Sequence, residues 1–198
     1  GVYAVGESRE PKKGESFTIL SFGAIRRGKG HERLIEMMRR LKSECGREVR
    51  LVITGFTNPD DPNYPEELMD LVTEYGLNKE IMLIPRYLQL QEIVDWHRVS
   101  DVVVISYTRV VGPSGALMWA MATDTVPIIV TGNVWIPEVP GIVVHNQEEI
   151  VRMIVELVND NMTLGQIRSR IVDYRRAYSF DNVAKLHLEL YRTLLADM

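Results

Sequence analysis

The chain has 198 residues, of which 45% are hydrophobic and 25% charged, with a formal net charge of −4. These values fit one ordinary globular domain and argue against a non-specific nucleic-acid binder, which carries a basic surplus. No apolar run approaches the roughly 20 residues that span a bilayer, and a lone cysteine, Cys45, excludes an intrachain disulfide and fits a reducing, cytoplasmic setting.

The opening, GVYAVGESREPKKGES, lacks an initiator Met and has no basic segment leading into an apolar core, so it does not read as a signal peptide. It reads instead as the start of a chain processed, or excised from something longer. From Ser16 onward, short apolar runs alternate with longer segments of helical period. SFTILSF (Ser16 to Phe22) predicts a strand, and HERLIEMMRRLKSE places Leu34, Ile35, Met38 and Leu41 on one helical face. EVRLVITG predicts a second strand, and NPDDPNYP a loop. EELMDLVTEYGL predicts a helix that buries Leu68, Leu71, Val72 and Tyr75 and stops at Gly76. EIMLIP is a third strand, LQEIVDWHRVS a helix and DVVVISY a fourth strand. SGALMWAMA opens a helix, VPIIVTG is a fifth strand and GIVVHN a sixth; QEEIVRMIVELVND, LGQIRSRIVDYRRAY and FDNVAKLHLELYRTLLADM close the chain as helices.

Strands that are apolar throughout, separated by amphipathic helices, imply a parallel sheet covered on both faces. The predicted fold is therefore α/β: a Rossmann-like, doubly wound parallel sheet of about six strands with right-handed crossovers. In such sheets ligands lie beyond the carboxyl ends of the strands, and two of the loops there are unusual. GAIRRGKG, Gly23 to Gly30, gathers Arg26, Arg27 and Lys29 among three glycines. Glycines let backbone amides approach an anion, and the cations supply charge and donors; a solvated basic turn is the plainer alternative. The loop is neither a Walker loop nor a dinucleotide fingerprint. In the second loop, GPSGA, Pro113 suits a first helical turn and Ser114 can cap it, while the amides of Ser114, Gly115 and Ala116 point out of the helix start. An ordinary strand-to-helix turn would look similar. Because both loops share one rim of the sheet, together they can grip a diphosphate.

The remaining polar residues form no pattern as clear. His31, His97, His145 and His187 lack metal-ligand spacing, and no metal site is expected. His97 reads as a helix-surface or half-buried residue. Asp60 and Asp61 read as a solvated turn, Trp119 as core or pocket wall, and Trp135 as a loop residue facing the cleft.

With these residues in view, the chain resembles the C-terminal, donor-binding domain of a GT-B glycosyltransferase, most closely the retaining glycosyltransferase family 4 of group 1. The resemblance is carried by ILSFGAIRRGKGHERLIEMM, by LVITG, by EELMDLVTEYGLNKEIMLIPRYLQLQEIVDWHRVSDVVVISY and by GALMWAMATDTVPIIVTGNVWIPEV, in that order, with YSFDNVAKLHLELYRTL matching the closing helix that in the family crosses to the partner domain. It implies a hexosyltransferase that takes a UDP- or GDP-sugar as co-substrate, with no cofactor and no metal. Residues 1–15 would be a linker from a missing N-terminal acceptor domain, and residues 16–198 the nucleotide-sugar-binding domain, inactive in isolation. A lipid-linked acceptor would bring the intact protein to a membrane surface.

Position by position, Lys29 matches the family's diphosphate-binding Lys. The usual Arg position is Ala24, while Arg26 matches an Arg of a variant loop. Lys29 and Arg26 are thereby expected to be catalytic, holding the diphosphate with Gly23, Ser114, Gly115 and Ala116. The nucleotide base would lie against Arg86, Tyr87 and Leu88, with Tyr87 either stacking on it or belonging to the core. Family members carry two glutamates flanking the second loop, one by the sugar and one on the ribose, and their positions here are Val111 and Trp119. Trp135 and Glu138, the latter in IPE, would lie in the sugar and ribose surroundings, with a helix-capping or loop carboxylate the plainer reading of Glu138. A degenerate binding or structural module on the same fold is the alternative that these missing carboxylates leave open, and an unrelated phosphate-binding Rossmann-like protein is a second.

Overall fold

Six strands form because six runs of β-branched and aliphatic residues are each long enough to cross a sheet buried on both faces. In the computed structural model, which describes residues 16–107, 114–130 and 139–196, they are β1 (Phe17–Phe22), β2 (Val49–Thr54), β3 (Ile81–Ile84), β4 (Val102–Ile105), β5 (Val126–Val130) and β6 (Ile142–Val144). All pairings are parallel, in the order β3-β2-β1-β4-β5-β6. The predicted doubly wound sheet is the observed one.

Helices α1 (His31–Glu44), α2 (Tyr64–Glu74), α3 (Leu90–Val99), α4 (Gly115–Thr123) and α5 (Gln147–Asn159) connect or follow the strands, and α6 (Asn161–Ala177) and α7 (Phe180–Ala196) end the described chain. From β1 the chain winds outward one way through α1 and α2, then returns to β4 and winds the other way through α4. Right-handed crossovers in opposite directions place their helices on opposite faces of the sheet. Accordingly α1 packs against α2 and α5, whereas α4 packs against α3 and α6.

The helix boundaries follow local chemistry. The face predicted for α1 is buried, with His31 and Met37 added to Leu34, Ile35, Met38 and Leu41; each such apolar side chain contributes about 1.5–3 kcal/mol on full burial. Helix α2 starts at Tyr64, two residues before its predicted start, because buried Tyr64 and Pro65 belong to its first turn. It ends as expected at Gly76, which adopts φ 63°. There the Leu77 amide reaches the Val72 carbonyl at 2.9 Å and the Gly76 amide the Thr73 carbonyl at 3.0 Å, a Schellman closure. Of the four residues predicted to be buried by α2, Leu68 and Val72 are; Leu71 and Tyr75 are half-buried. Helix α6 begins earlier than predicted because the Asp160 carboxylate caps it, accepting from the Met162 amide at 2.9 Å. Helix α7 buries none of its residues. No helix among the described residues is long and apolar enough to cross a membrane.

Beyond the strand ends, the loops after β1 and β2 stay zipped together. The Gly23 amide donates to Thr54 (3.0 Å), that of Ile25 to Phe56 (2.8 Å) and that of Asn58 to Ile25 (3.2 Å). This continuation works only because Gly55, at φ +144°, has no Cβ; one added there would lie 1.9 Å from the Gly23 carbonyl oxygen. Replacing Gly55→Ala is expected to lower unfolding stability by about 2–4 kcal/mol, through clash and backbone strain. In the same urea titrations Gly165→Ala, in the open interior of α6 with nothing within 4 Å of the new Cβ, should raise stability by about 1 kcal/mol.

Candidate functional site

The strand order reverses between β1 and β4, which are neighbours in the sheet yet continue to opposite sides. Loops leaving two such strands diverge and leave a crevice between them. The two loops singled out in the sequence are the ones at this switch point.

In the first, buried Ile25 pairs with Thr57 across the extended ladder and fixes the loop to its neighbour. The three cations that follow separate in role. Arg27 turns away: its guanidinium holds both Glu67 carboxylate oxygens at 2.6 Å and Asp61 at 3.1 Å, and lies over the Tyr64 ring at 5.0 Å. Asp61, predicted to be a solvated turn residue, is thus a partner of Arg27. Arg26 is half-buried, and its guanidinium makes a long 3.4 Å contact with the Arg27 carbonyl. Lys29 turns toward the other loop, its ammonium 3.5 Å from the centroid of the Tyr107 ring.

The described residues on either side of the second loop meet the first loop. Ser106 Oγ donates to the Lys29 carbonyl at 3.0 Å, and the Tyr107 hydroxyl lies 3.0 Å from Ser114 Oγ. Ser114 is the N-cap of α4, as predicted, and its Oγ accepts from the Leu117 amide at 3.3 Å. The amides of Gly115 and Ala116, in the first helical turn, have no intrahelical acceptor, and the positive end of the helix dipole lies there. Gly30 permits the approach of the two loops. It caps α1 at φ 79°, and a Cβ on it would lie 2.3 Å from the Ser106 carbonyl oxygen. Tyr107 was not singled out in the sequence; the signal available was an aromatic between an apolar parallel strand and a Gly-Pro-Ser turn.

Two buried histidines flank this arrangement. His31, the first residue of α1, is held neutral: burial first, and then the positive Lys29 and Arg26, push its imidazole down to about 4. Its Nδ1 is buried without a hydrogen-bond partner among the described residues, and its ring lies 5.9 Å from that of Tyr64. His97, expected at the helix surface or half-buried, is fully buried. It faces inward from α3 because Phe22 and Trp119 sandwich it, with ring centroids at 5.0 and 6.2 Å, and its Nδ1 meets the Ile93 carbonyl at 2.8 Å. Burial pushes its pKa down as well. Trp119 is half-buried against it.

At the ends of β2 and β3 the exposed ring of Tyr87 stacks on Phe56, centroids 4.9 Å apart and planes within 6°. Phe56 is a second residue the sequence reading passed over, although it follows the glycine that ends the strand. Arg86 turns its guanidinium onto Glu92, at 3.1 and 2.6 Å. That contact, with the Gln89 amide, holds the Glu92 carboxyl down to about 2 and fastens the first turn of α3. Leu88 is half-buried. Val111, Pro113, Trp135 and Glu138 lie outside the described residues.

Residues 7–177 match the family model described as glycosyl transferases group 1. Comparison with curated protein sequences gave no match. Among solved structures, the C-terminal domain of the glycosyl transferase group 1 family protein LpcC from Francisella tularensis is 24% identical, with a TM-score of 0.70 over 82% of this chain and 85% of that one. HepE from Anabaena, in complex with UDP and glucose, is 18% identical with a TM-score of 0.72, over 92% of this chain and 49% of HepE. Sucrose-phosphate synthase from Thermosynechococcus elongatus is 23% identical with a TM-score of 0.67, over 92% of this chain and 46% of the synthase. The chain therefore spans nearly all of the first relative and about half the length of the other two.

The neutral His31 makes stability depend on pH. The unfolded chain takes up a proton there near the ordinary value of about 6.5, whereas the folded chain resists until about pH 4. Stability should thus fall as pH drops through that window, by roughly 3 kcal/mol at its lower end. Comparing urea midpoints at pH 7 and 4.5 for the wild type and His31→Gln isolates this effect; an equal loss in both would acquit His31.

Proposed function

The chain belongs to the glycosyl transferases group 1 family, and from that premise we propose that it is the donor-binding half of a glycosyltransferase. It holds a nucleoside-diphosphate sugar across the strand ends and presents the sugar to an acceptor carried by an N-terminal domain of the full-length protein. The observation that carries this reading is the convergence, at the switch point, of Lys29 from one loop and the Ser114-capped start of α4 from the other, bridged by Tyr107. Cations and unbonded amides aimed at one crevice suit a diphosphate.

HepE holds UDP in one structure and UDP-glucose in another. For this chain we assign a UDP- or GDP-sugar as donor, the diphosphate lying among Gly23, Arg26, Lys29 and the amides of Ser114, Gly115 and Ala116. The base rests at the Arg86–Leu88 rim, where Tyr87, backed by Phe56, supplies a flat aromatic face. Transfer is of a hexosyl group with retention. The bond from the anomeric carbon to the β-phosphate oxygen breaks, and its electron pair stays on the departing diphosphate. The acceptor hydroxyl oxygen bonds to the anomeric carbon on the same face, and its proton passes to the departing diphosphate oxygen. Lys29, Arg26 and the α4 amides meet the developing charge without a metal, already aimed before the bond breaks. We place the protein in the cytoplasm, where a lipid-linked acceptor would bring it to a membrane surface. Exposed α7, with Phe180, Leu186, Leu190 and Leu194 uncovered, is the surface we assign to contact with the N-terminal domain.

One observation favours a second reading, a group 1 domain that binds donor without transferring it. The ribose position is Trp119, whose indole, packed beside His97, offers an N–H but no carboxylate, and Val111 removes the other acid. Sugar-nucleotide turnover by the full-length protein separates the two readings, and its absence with every donor would leave only the binding module.

Binding itself is testable on this chain. Under thermal or urea unfolding, UDP, GDP or their sugars at 100 times the dissociation constant should add about 2.7 kcal/mol of stability. Lys29→Ala should weaken the binding about ten- to hundredfold, the loss of a charge-assisted contact, while leaving unliganded stability close to wild type. Undiminished affinity in that variant removes Lys29 from the site.

A further inference from the structure

Lys29 is held at its backbone and at its side-chain tip by the two consecutive residues that follow β4. Its own carbonyl accepts from Ser106 Oγ at 3.0 Å, which fixes the root. Its ammonium sits 3.5 Å from the centroid of the Tyr107 ring, which fixes the tip. Tyr107 is buried, 7% exposed, so the attraction between ammonium and ring is screened less than at an open surface. The same Tyr107 reaches the other loop through its hydroxyl, 3.0 Å from Ser114 Oγ, and that oxygen caps α4 by accepting from the Leu117 amide.

We propose that Tyr107 is the positioning residue of this site: its ring berths the Lys29 ammonium, its hydroxyl holds the cap of α4, and one side chain thereby sets the spacing between the cationic loop and the helix start. The inference rests on reading the crevice as a diphosphate cradle. A free lysine explores many rotamers, and the entropy lost on binding an anion weakens the complex. A lysine already berthed on a ring loses less, and the donors on the side of the ammonium away from the ring stay available. The ring and the hydroxyl have separable tasks. Phenylalanine at 107 keeps the berth and frees the cap, while leucine removes both.

The test combines a measurement without ligand and one with UDP or GDP as probe. In spectra of the chain carrying carbon-13 lysine, the Lys29 ε-methylene protons should be shifted upfield by the Tyr107 ring current in the wild type and in Tyr107→Phe, and should lie at the ordinary position in Tyr107→Leu. By calorimetry, Tyr107→Leu should weaken UDP or GDP about tenfold and Tyr107→Phe about threefold. Lys29→Ala with Tyr107→Leu should bind only about threefold worse than Lys29→Ala alone, the share that acts through the Ser114 cap, because ring and ammonium act as a unit; a merely structural tyrosine would give losses that add. Unshifted Lys29 protons in the wild type, additive losses, or unchanged affinity in Tyr107→Leu would each overturn the proposal. Should Tyr107→Leu not fold, Tyr107→Phe decides: unchanged affinity there overturns the link to Ser114. A wild-type chain that binds neither nucleotide fails the donor-domain reading instead, and the ring-current measurement still stands or falls by itself.

Discussion

Beyond the carboxyl ends of β1 and β4 two backbones touch where side chains would ordinarily intervene. Gly30 presses against Ser106 so closely that a β carbon would lie 2.3 Å from the Ser106 carbonyl oxygen. That contact joins the start of α1 to the end of β4, two elements that belong to opposite halves of a doubly wound sheet. Without it, the crevice that opens wherever the strand order reverses would be a gap between unrelated loops. With it, the cationic loop and the capped helix form one wall. The Gly23–Gly55 approach does the same one strand over, locking the loop after β1 to its neighbour. The site is thus placed by absent side chains before it is equipped by present ones.

Its electrostatics are trimmed as much as assembled. Three cations lie close together in the sequence, and the fold diverts one of them, since Arg27 is occupied by Glu67 and Asp61. A histidine that would have added a charge is buried and held neutral. At the switch point Lys29, held on the Tyr107 ring, meets the start of one helix dipole. Buried surroundings make these groups count for more than they would in open water, because screening by solvent and salt is weaker there.

Much of this was legible in the sequence for identifiable reasons. A parallel sheet covered on both faces has to be built from strands such as VVVI and VPIIV, apolar without alternation, and their regular spacing between amphipathic helices points to that arrangement. Gly76 and Ser114 announced a helix stop and a helix start because each answers a specific backbone need. The pairings of side chains across the fold were not legible. Nothing local distinguishes Arg27 from Arg26; the difference is that α2 delivers Glu67 to one of them. His97 read as a helix-surface or half-buried residue because its own helix gives no hint that Phe22 and Trp119 close over it. Tyr107 read as the end of a strand, and its importance depends on a lysine far away in the sequence. Position in the sheet is written in runs of residues, whereas assignment of partners is written only in three dimensions.

Helix α7 carries a further consequence. It spans Phe180–Ala196 and none of its residues is buried. Its tie to the rest of the domain is at its first turn, where the Asn182 side chain donates to the Arg176 carbonyl at 2.7 Å and the Val183 amide to Ser179 at 2.9 Å. Among the described residues no face of α7 is buried, and a helix of this length without packing is marginal in water, since most helical stability in proteins comes from packing one face. On the proposed reading an N-terminal domain covers the exposed Leu186, Leu190 and Leu194. Docking and folding of α7 would then be a single event, and its helicity a gauge of assembly.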